Sequence, residues 1–337
     1  MAETTPRMAE HDITTPSAWT AATVSAADWR VPISAACAHE LSAAIDRLRA
    51  HPLPTLLLDP ADFDLSETRA MTRAVRRILD DGVGFTVIDR LPIDGLSAEE
   101  CKALYWLLSN LVSRVVAGAW DGRMLHDVVD TEQKQGLRVR GDLTNQEIQW
   151  HTDNGFSCTP DYFGLLCIRP AKEGGKNSLA SLHSAHNLMR RRHPDLLARL
   201  YGPFYWNRMG EHHPGDSPVN RFPYFEYDGG RLKGRFNRRI VHAGHEIAGE
   251  PLDAQGRDAI DAFLAVLNDP SLPVSLTLEA GQVLYVNNRV VVHHRTPFVD
   301  HESRDARRHL VRIYMRDHGP RSYLGAEGAS RPHVAAS

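Results

Sequence analysis

Trp150-His151-Thr152-Asp153 is the first group of residues whose types and spacing could do chemistry. In a strand, residues i and i+2 point to one face, so His151 and Asp153 would present an imidazole and a carboxylate side by side. Those are two legs of a 2-His-1-carboxylate facial triad, which leaves open positions on Fe(II) for oxygen chemistry. His-x-Asp also arises by chance, so the pair needs a third ligand. Asn287-Asn-Arg-Val-Val-Val-His293-His294-Arg295 offers one from a distant strand. His293 and His294 point to opposite faces of such a strand, so only one of them can serve. Further on come Arg304, Arg307, Arg308, Arg312 and Arg316. Arg308 and Arg312 bracket an otherwise apolar run at a spacing that puts both on one strand face. A guanidinium there can grip a dicarboxylate cosubstrate through two parallel hydrogen bonds.

These groups need rigid elements to hold them. Residues 1–25 are polar and rich in Thr, Ala and Pro, and read as a loose arm. Apolar residues recur at helical spacing over 34–49 and 66–79, the second ending at Asp80-Asp81-Gly82, a helix stop. Val83–Ile88 reads as a strand. Ser97-Ala-Glu-Glu100 is a capping box that opens a helix running to about 115. After Trp120 the texture changes to short strand-like runs at 162–168, 274–278, 283–286, 290–292 and 309–314, with helical stretches at 184–200 and 253–267. The pattern is mainly β with α: a jelly-roll or sandwich core over about 140–318, a helical N-terminal buttress over about 34–115, and inserted helices. Residues 26–337 read as a single domain, since no convincing linker divides them.

Composition narrows the function classes. The chain has 337 residues, and 39 Lys+Arg against 42 Asp+Glu give a net charge of −3. That balance offers no electrostatic argument for nucleic acid or an anionic membrane surface as a partner. No run of apolar residues is long enough for a spanning helix, and the first residues lack the apolar stretch of a secretory signal. A cytoplasmic protein with reduced Cys37, Cys101, Cys158 and Cys167 is the expectation. The 18 histidines favour a metal site without locating one.

Three blocks in order resemble the taurine dioxygenase (TauD/TfdA-like, clavaminate-synthase-like) branch of the Fe(II)/2-oxoglutarate-dependent oxygenases over about residues 70–318. They are Thr144-Asn-Gln-Glu-Ile-Gln-Trp-His-Thr-Asp153, Gly164-Leu-Leu-Cys-Ile-Arg-Pro-Ala-Lys-Glu-Gly-Gly175, and Gly281-Gln-Val-Leu-Tyr-Val-Asn-Asn288 with His293-His-Arg295 and Arg308-His-Leu-Val-Arg312. The resemblance implies a double-stranded β-helix (jelly-roll, cupin-like) core that binds Fe(II) as cofactor, with 2-oxoglutarate and O2 consumed to give succinate and CO2. By motif it implies His151, Asp153 and His293 as catalytic iron ligands, taking His293 over His294. It places Arg308 on the distal carboxylate of 2-oxoglutarate, and Arg312 near the cosubstrate's other end or the substrate. Asn177 stands two positions after Gly174-Gly175, where the family usually has Ser or Thr. Asn can still donate a hydrogen bond to the cosubstrate. The family often has Gly-Asp where this chain has Gly281-Gln282, a turn variation. Members that halogenate generally lack the carboxylate ligand, so Asp153 points to hydroxylation or a related oxidation. A homo-oligomer is a family-level expectation.

The substrate is less legible. In a regular strand Glu147 and Gln149 share the face of His151, where Glu147 would suit an amino group. Phe156 would supply an apolar wall and Arg312 would bind an anion. These point to a small polar molecule, amino-acid-like or a natural product. His242-Ala-Gly-His245-Glu246 lacks the order of a helical zinc motif, and its Gly is poor for a helix. Residues 204–227 hold an aromatic cluster, and His212-His213-Pro-Gly-Asp216 reads as a loop that could cover the site. Two other classes compete: a cupin-type metalloenzyme without a cosubstrate, which has no need of Arg308, and a non-catalytic binding protein of the same fold, which would show a broken triad.

Overall fold

The computed structural model describes residues 7–132 and 141–326. The helices are α1 Ala26–Trp29, α2 Ala35–Ala50, α3 Ser66–Asp80, α4 Ala98–Val112, α5 Leu182–Arg192, α6 Pro194–Leu200, α7 Arg238–Ala248 and α8 Ala254–Leu267. The strands up to the middle of the chain are β1 Arg30–Val31, β2 Phe85–Ile88, β3 Val115–Val116, β4 Leu125–Val128, β5 Ile148–His151, β6 Tyr162–Arg169, β7 Glu173–Gly174 and β8 Asn177–Ser181. They continue as β9 Phe204–Asn207, β10 Val219–Phe222, β11 Phe225–Asp228, β12 Arg231–Gly234, β13 Val274–Leu276, β14 Val283–Asn287, β15 Val291–Arg295, β16 Phe298–Val299 and β17 His309–Met315.

Side-chain alternation builds the layers. On β6, β14 and β17 one set of alternate residues (Leu166, Tyr285, Val311 and Ile313 among them) packs against α2, α3 and α4. The other set, including Phe163, Leu165, Leu284, Val286 and Leu310, joins Leu179 and Val291 in an inner core. The large sheet runs β1-β2-β14-β6-β17-β3, with β4 also on β17, and the small sheet runs β13-β8-β15-β5. Their inner faces meet through that core. The other face of the small sheet, through Ala180 and Val292, packs on residues of α5, α6 and α8. The order is therefore helices, large sheet, small sheet, helices, the mixed sandwich with a helical buttress that the periodicity predicts. The capping box at Ser97 and Glu100 is present and starts α4. Among the described residues no helix is long and apolar enough to cross a membrane.

Two expectations are corrected. Residues 7–25, expected to belong to a loose arm, lie against the body. Trp19 is buried and its indole donates to Val83 O at 2.7 Å, Ile13 N donates to Asn187 Oδ1 at 2.8 Å, and Asp12 pairs with Arg190 and Arg191. One buried indole and a buried amide partner outweigh the polar composition of the segment. Residues 1–6 lie outside the described residues. The segment holding His242 and His245 is helical despite its glycine. A Cβ on Gly244 would meet the backbone of Tyr205, and would come within 2.7 Å of Asn207 N. The glycine serves the close crossing of α7 over β9 and outweighs its poor helix propensity.

The second helical layer carries a pH-sensitive core. His186 on α5 is fully buried, with Nε2 2.8 Å from the Tyr201 hydroxyl. Burial, then the neighbouring His183, lowers its pKa from 6.5 to about 4. The unfolded chain takes up the proton first as pH falls, so this contribution is complete above 6.5 and is lost as pH drops toward 4. Denaturant titrations should show stability falling by about 2 kcal/mol between pH 7 and 5 from this group. The His186→Gln variant should show a shallower decline; an equal slope in both would remove His186 from the account.

Candidate metal centre

β5 and β15 are antiparallel neighbours, and His151 stands directly opposite His293. Their rings lie 4.1 Å apart between centroids, with Phe163 of the inner core 4.7 Å from His293. The Asp153 Oδ1 atom is 3.4 Å from His151 Nε2 and 3.8 Å from His293 Nε2. One ligand atom from each of the three residues lies within 4.8 Å of the others. His294 turns to the other side of β15, with its ring 5.4 Å from that of Trp150. Register therefore separates the two adjacent histidines.

The chain between β5 and β6 is pinned from behind. Asn288, fully buried, accepts from Asp153 N at 2.9 Å and donates to Asp153 O at 2.8 Å and Pro160 O at 3.3 Å. Thr152 N donates to Phe236 O at 2.8 Å, and Thr152 Oγ1 accepts from Phe236 N at 3.1 Å. Tyr314 donates its hydroxyl proton to Asp153 Oδ2 at 3.1 Å, and Arg312 Nη1 is 3.5 Å from the same oxygen. Sequence reading gave Asn288 and Tyr314 no role. Tyr314 alternates with Arg312 on the inward face of β17, a usable signal; the contact of Asn288 with Asp153 spans the fold and has no local signature.

The electrostatics favour ligand-ready protonation states. Burial of Asp153 works to raise its pKa, but Arg312 and the two imidazoles hold it well below the usual carboxylate range. Burial, then His151, pushes His293 well below the usual histidine value. Asp153 is thus an anion and His293 a neutral imidazole at neutral pH. His151 Nδ1 lies 2.8 Å from Gln149 O, which orients its Nε2 toward Asp153.

A cavity of about 860 Å³ opens on this group. His151, Asp153, Arg312 and Phe156 line it, as do Glu147 and Gln149. The shared strand face expected for Glu147 is corrected, however. Opposite His293 stands His151, but opposite Arg295 stands Ile148, so β5 bulges by one residue. The bulge breaks the alternation and sends the Glu147 carboxylate to His294, 2.6 Å away. Gln149 is exposed at the rim, and Phe156 is buried in the wall.

Arg308 and Asn177 do not line that cavity. Arg308 borders a second one of about 320 Å³, together with Arg169, Arg304 and Arg307. Its guanidinium packs 4.8 Å from the centroid of Phe298, and Nη1 is buried without a hydrogen-bond partner among the described residues. Burial lowers its pKa. A Cβ on Gly175 would lie 3.6 Å from Arg308 Nε, so the Gly174-Gly175 turn leaves room beside it. Asn177 is buried on β8, in register with Arg295.

The far wall comes from segments to which the sequence pattern assigns no strand or helix. β9 and β10 form a hairpin over residues 204–222, with Val219 opposite Asn207, and α7 crosses β9. Met209, just past β9, reaches the cavity; His212, His213 and Asp216 are not among its lining residues. The rest of that wall is α7, with Arg239 and His242.

The fold and this arrangement define a non-haem metal oxygenase of the jelly-roll-like type. Residues 49–314 match the family described as Taurine catabolism dioxygenase TauD, TfdA family. The chain belongs to that family and is a 2-oxoglutarate-dependent non-haem iron oxygenase, using Fe(II), 2-oxoglutarate and O2. It is 28% identical over 309 residues to FR-33289 synthase of Streptomyces rubellomurinus, covering 90% of each chain. Two solved structures share its fold. Asparagine oxygenase aligns with a TM-score of 0.64 at 20% identity, over 89% of this chain and 99% of that one. The non-haem iron oxygenase OrfP, in complex with Fe and alpha-ketoglutaric acid, aligns at 0.63 and 20%, over 86% and 94%.

The clamp behind Asp153 is testable. Asn288→Ala should lower folding stability by about 2 kcal/mol and weaken Fe(II) affinity by about tenfold. Tyr314→Phe should weaken metal binding with a much smaller loss of stability. Denaturant titration and anaerobic metal titration of both variants check this; unchanged affinity in Asn288→Ala would contradict the positioning role.

Proposed function

We propose that His151, Asp153 and His293 hold Fe(II), and that the enzyme hydroxylates a C–H bond of a small polar molecule, amino-acid-like or a natural product, bound in the large cavity. The observation that carries this reading is the convergence of two imidazoles and one carboxylate, of which His151 and Asp153 line that cavity. The donor set fits Fe(II): three protein ligands of this type leave positions open for a chelating cosubstrate and O2. The bound metal supplies the oxidation, in which 2-oxoglutarate, O2 and the substrate C–H bond become succinate, CO2 and an alcohol.

The remaining work belongs to the chain. Asp153 offsets the charge of the metal, and Arg312 and Tyr314 hold its second oxygen so that the first faces the imidazoles. Arg308 takes the distal carboxylate of 2-oxoglutarate. Its orphaned, buried Nη1 is the donor such an anion would satisfy. Asn177 contributes a hydrogen bond to the cosubstrate near that carboxylate. Phe156 excludes water on one side, and Gln149 meets the substrate at the rim. Glu147, which lines the cavity and is hydrogen-bonded to His294 through one oxygen, offers the substrate its other oxygen. Amino-acid-like substrates also fit the relatives, since a structure of asparagine oxygenase contains 3-hydroxyasparagine and succinate. We read the two sheets as the halves of a double-stranded β-helix, within one domain spanning 26–337.

Succinate release measured against 2-oxoglutarate concentration tests the assignments. His293→Ala should fall to background while His294→Ala retains turnover. Arg308→Lys should raise the KM for 2-oxoglutarate about tenfold or more, through loss of the two-point grip. An unchanged KM would move the cosubstrate carboxylate to Arg312.

A further inference from the structure

Arg308 stands just before β17, where the strand ladder does not hold it. Arg169 is opposite His309 and Cys167 is opposite Leu310, so β6 bulges at Ile168 and the regular pairing of β17 begins only beyond Arg308. A side chain takes the main-chain N–H of Arg308 instead. That N–H donates at 2.6 Å to Oδ1 of Asp300, eight positions earlier in the chain. The guanidinium at the other end of Arg308 lies 4.8 Å from the centroid of the Phe298 ring. Phe298 and Asp300 belong to one short segment, which therefore grips Arg308 at both ends. The segment is itself fixed. Phe298 is opposite Gly174, Phe298 N donates to Asn145 O at 3.0 Å, and Gly175 N donates to Pro297 O at 3.1 Å. A Cβ on Gly174, whose φ is +78°, would meet Pro297 O, so the glycine permits this close approach.

Ion pairing does not account for Asp300. Arg304 and Arg307 follow it closely in the chain, yet Arg307 turns to Glu132 at 2.6 Å and Asp300 forms no ion pair among the described residues. Its Oδ2 is buried without a hydrogen-bond partner among the described residues. An unmatched carboxylate oxygen costs desolvation. What offsets that cost is the charge-assisted bond from the Arg308 N–H to the other oxygen. Arg308 is itself buried. Burial lowers its pKa, and Asp300 is the carboxylate that opposes this. Asp300 thus acts on Arg308 through the main chain and through its charge, while Nη1 of the guanidinium stays without a partner among the described residues.

We propose that Asp300 is the positioning residue of Arg308. By holding the Arg308 N–H it fixes the chain entering β17, so that the guanidinium rests on Phe298 and presents Nη1 to the distal carboxylate of 2-oxoglutarate in one orientation. A two-point grip on a carboxylate depends on that orientation, so the geometry at Asp300 sets the affinity for the cosubstrate. The inference rests on the reading of Arg308 as the residue that takes this carboxylate.

Three variants of the full chain separate geometry from charge. Asp300→Asn keeps an acceptor at the same place and loses the charge. Asp300→Glu keeps the charge and displaces the acceptor by one methylene. Asp300→Ala loses both. The first readout is anaerobic binding of 2-oxoglutarate to the Fe(II)-loaded protein, with Fe(II) affinity measured separately. The binding midpoint should rise about tenfold in Asp300→Ala and in Asp300→Glu, and stay within about threefold in Asp300→Asn. Fe(II) affinity should be unchanged in all three. The second readout is the NMR signal of the Arg308 Nε–H in the metal-free chain, assigned by its loss in Arg308→Lys. It should be one sharp line in the wild type and in Asp300→Asn, and broadened or split in the other two. An unmoved midpoint in both Asp300→Ala and Asp300→Glu would overturn the proposal. So would a midpoint that rises in Asp300→Asn but not in Asp300→Glu, or a parallel loss of Fe(II) affinity. A wild-type chain that binds no 2-oxoglutarate would sink the cosubstrate reading, and the Nε–H signal would still decide whether Asp300 orders Arg308. Normal wild-type binding with the midpoint unmoved in the variants would do the reverse.

Discussion

The pairing of β5 with β15 is the constraint on which the rest of the structure depends. It sets His151 opposite His293 and brings both rings to the Asp153 carboxylate. A shift of one residue in either strand would turn one imidazole to the opposite face. The register is held from both ends. The inner core, through Phe163, backs His293, and Asn288 clamps the backbone of Asp153 from a turn that follows β14. Burial desolvates the Asp153 carboxylate and the His293 imidazole. The surrounding scaffold must therefore supply the stability that the centre itself does not.

The two faces of the large sheet divide the labour. The outer face rests on α2, α3 and α4 and supplies rigidity. The inner face carries Arg312 and Tyr314 on β17, which hold Asp153 as an oriented anion. The opposite wall is contributed by α7 and the β9–β10 hairpin, inserted between the strands of the small sheet in sequence. A rigid floor for the metal and a separately built wall for the substrate is an arrangement in which the wall can change without disturbing the ligands.

Much of this was legible from the chain, and the failures have physical causes. Strand-like apolar runs bounded by turn residues located β6, β14 and β17, because both faces of these strands are buried. His-x-Asp and the distal histidine pair were visible because their chemistry is local. The bulge in β5 was not: it is a tertiary adjustment to β15, and it moved Glu147 from the metal face to His294. The glycine in α7 argued against a helix on propensity, yet it is what allows the backbone of α7 to approach Tyr205. The N-terminal segment looked disordered by composition, and a single buried indole, Trp19, contradicts that over the described residues. Asn288 carries three hydrogen bonds across the fold and leaves no pattern in its own neighbourhood.

The central claim is that one buried His-Asp-His centre holds iron and, beside it, chelates 2-oxoglutarate. The most direct measurement is an anaerobic titration of the metal-free protein with Fe(II) and then 2-oxoglutarate, following the weak visible charge-transfer band of the chelated cosubstrate. The account predicts a saturable band at one iron per chain, absent in His293→Ala and shifted to higher 2-oxoglutarate concentration in Arg308→Ala. A protein that binds iron without developing the band, or a band that survives intact in His293→Ala, would contradict it.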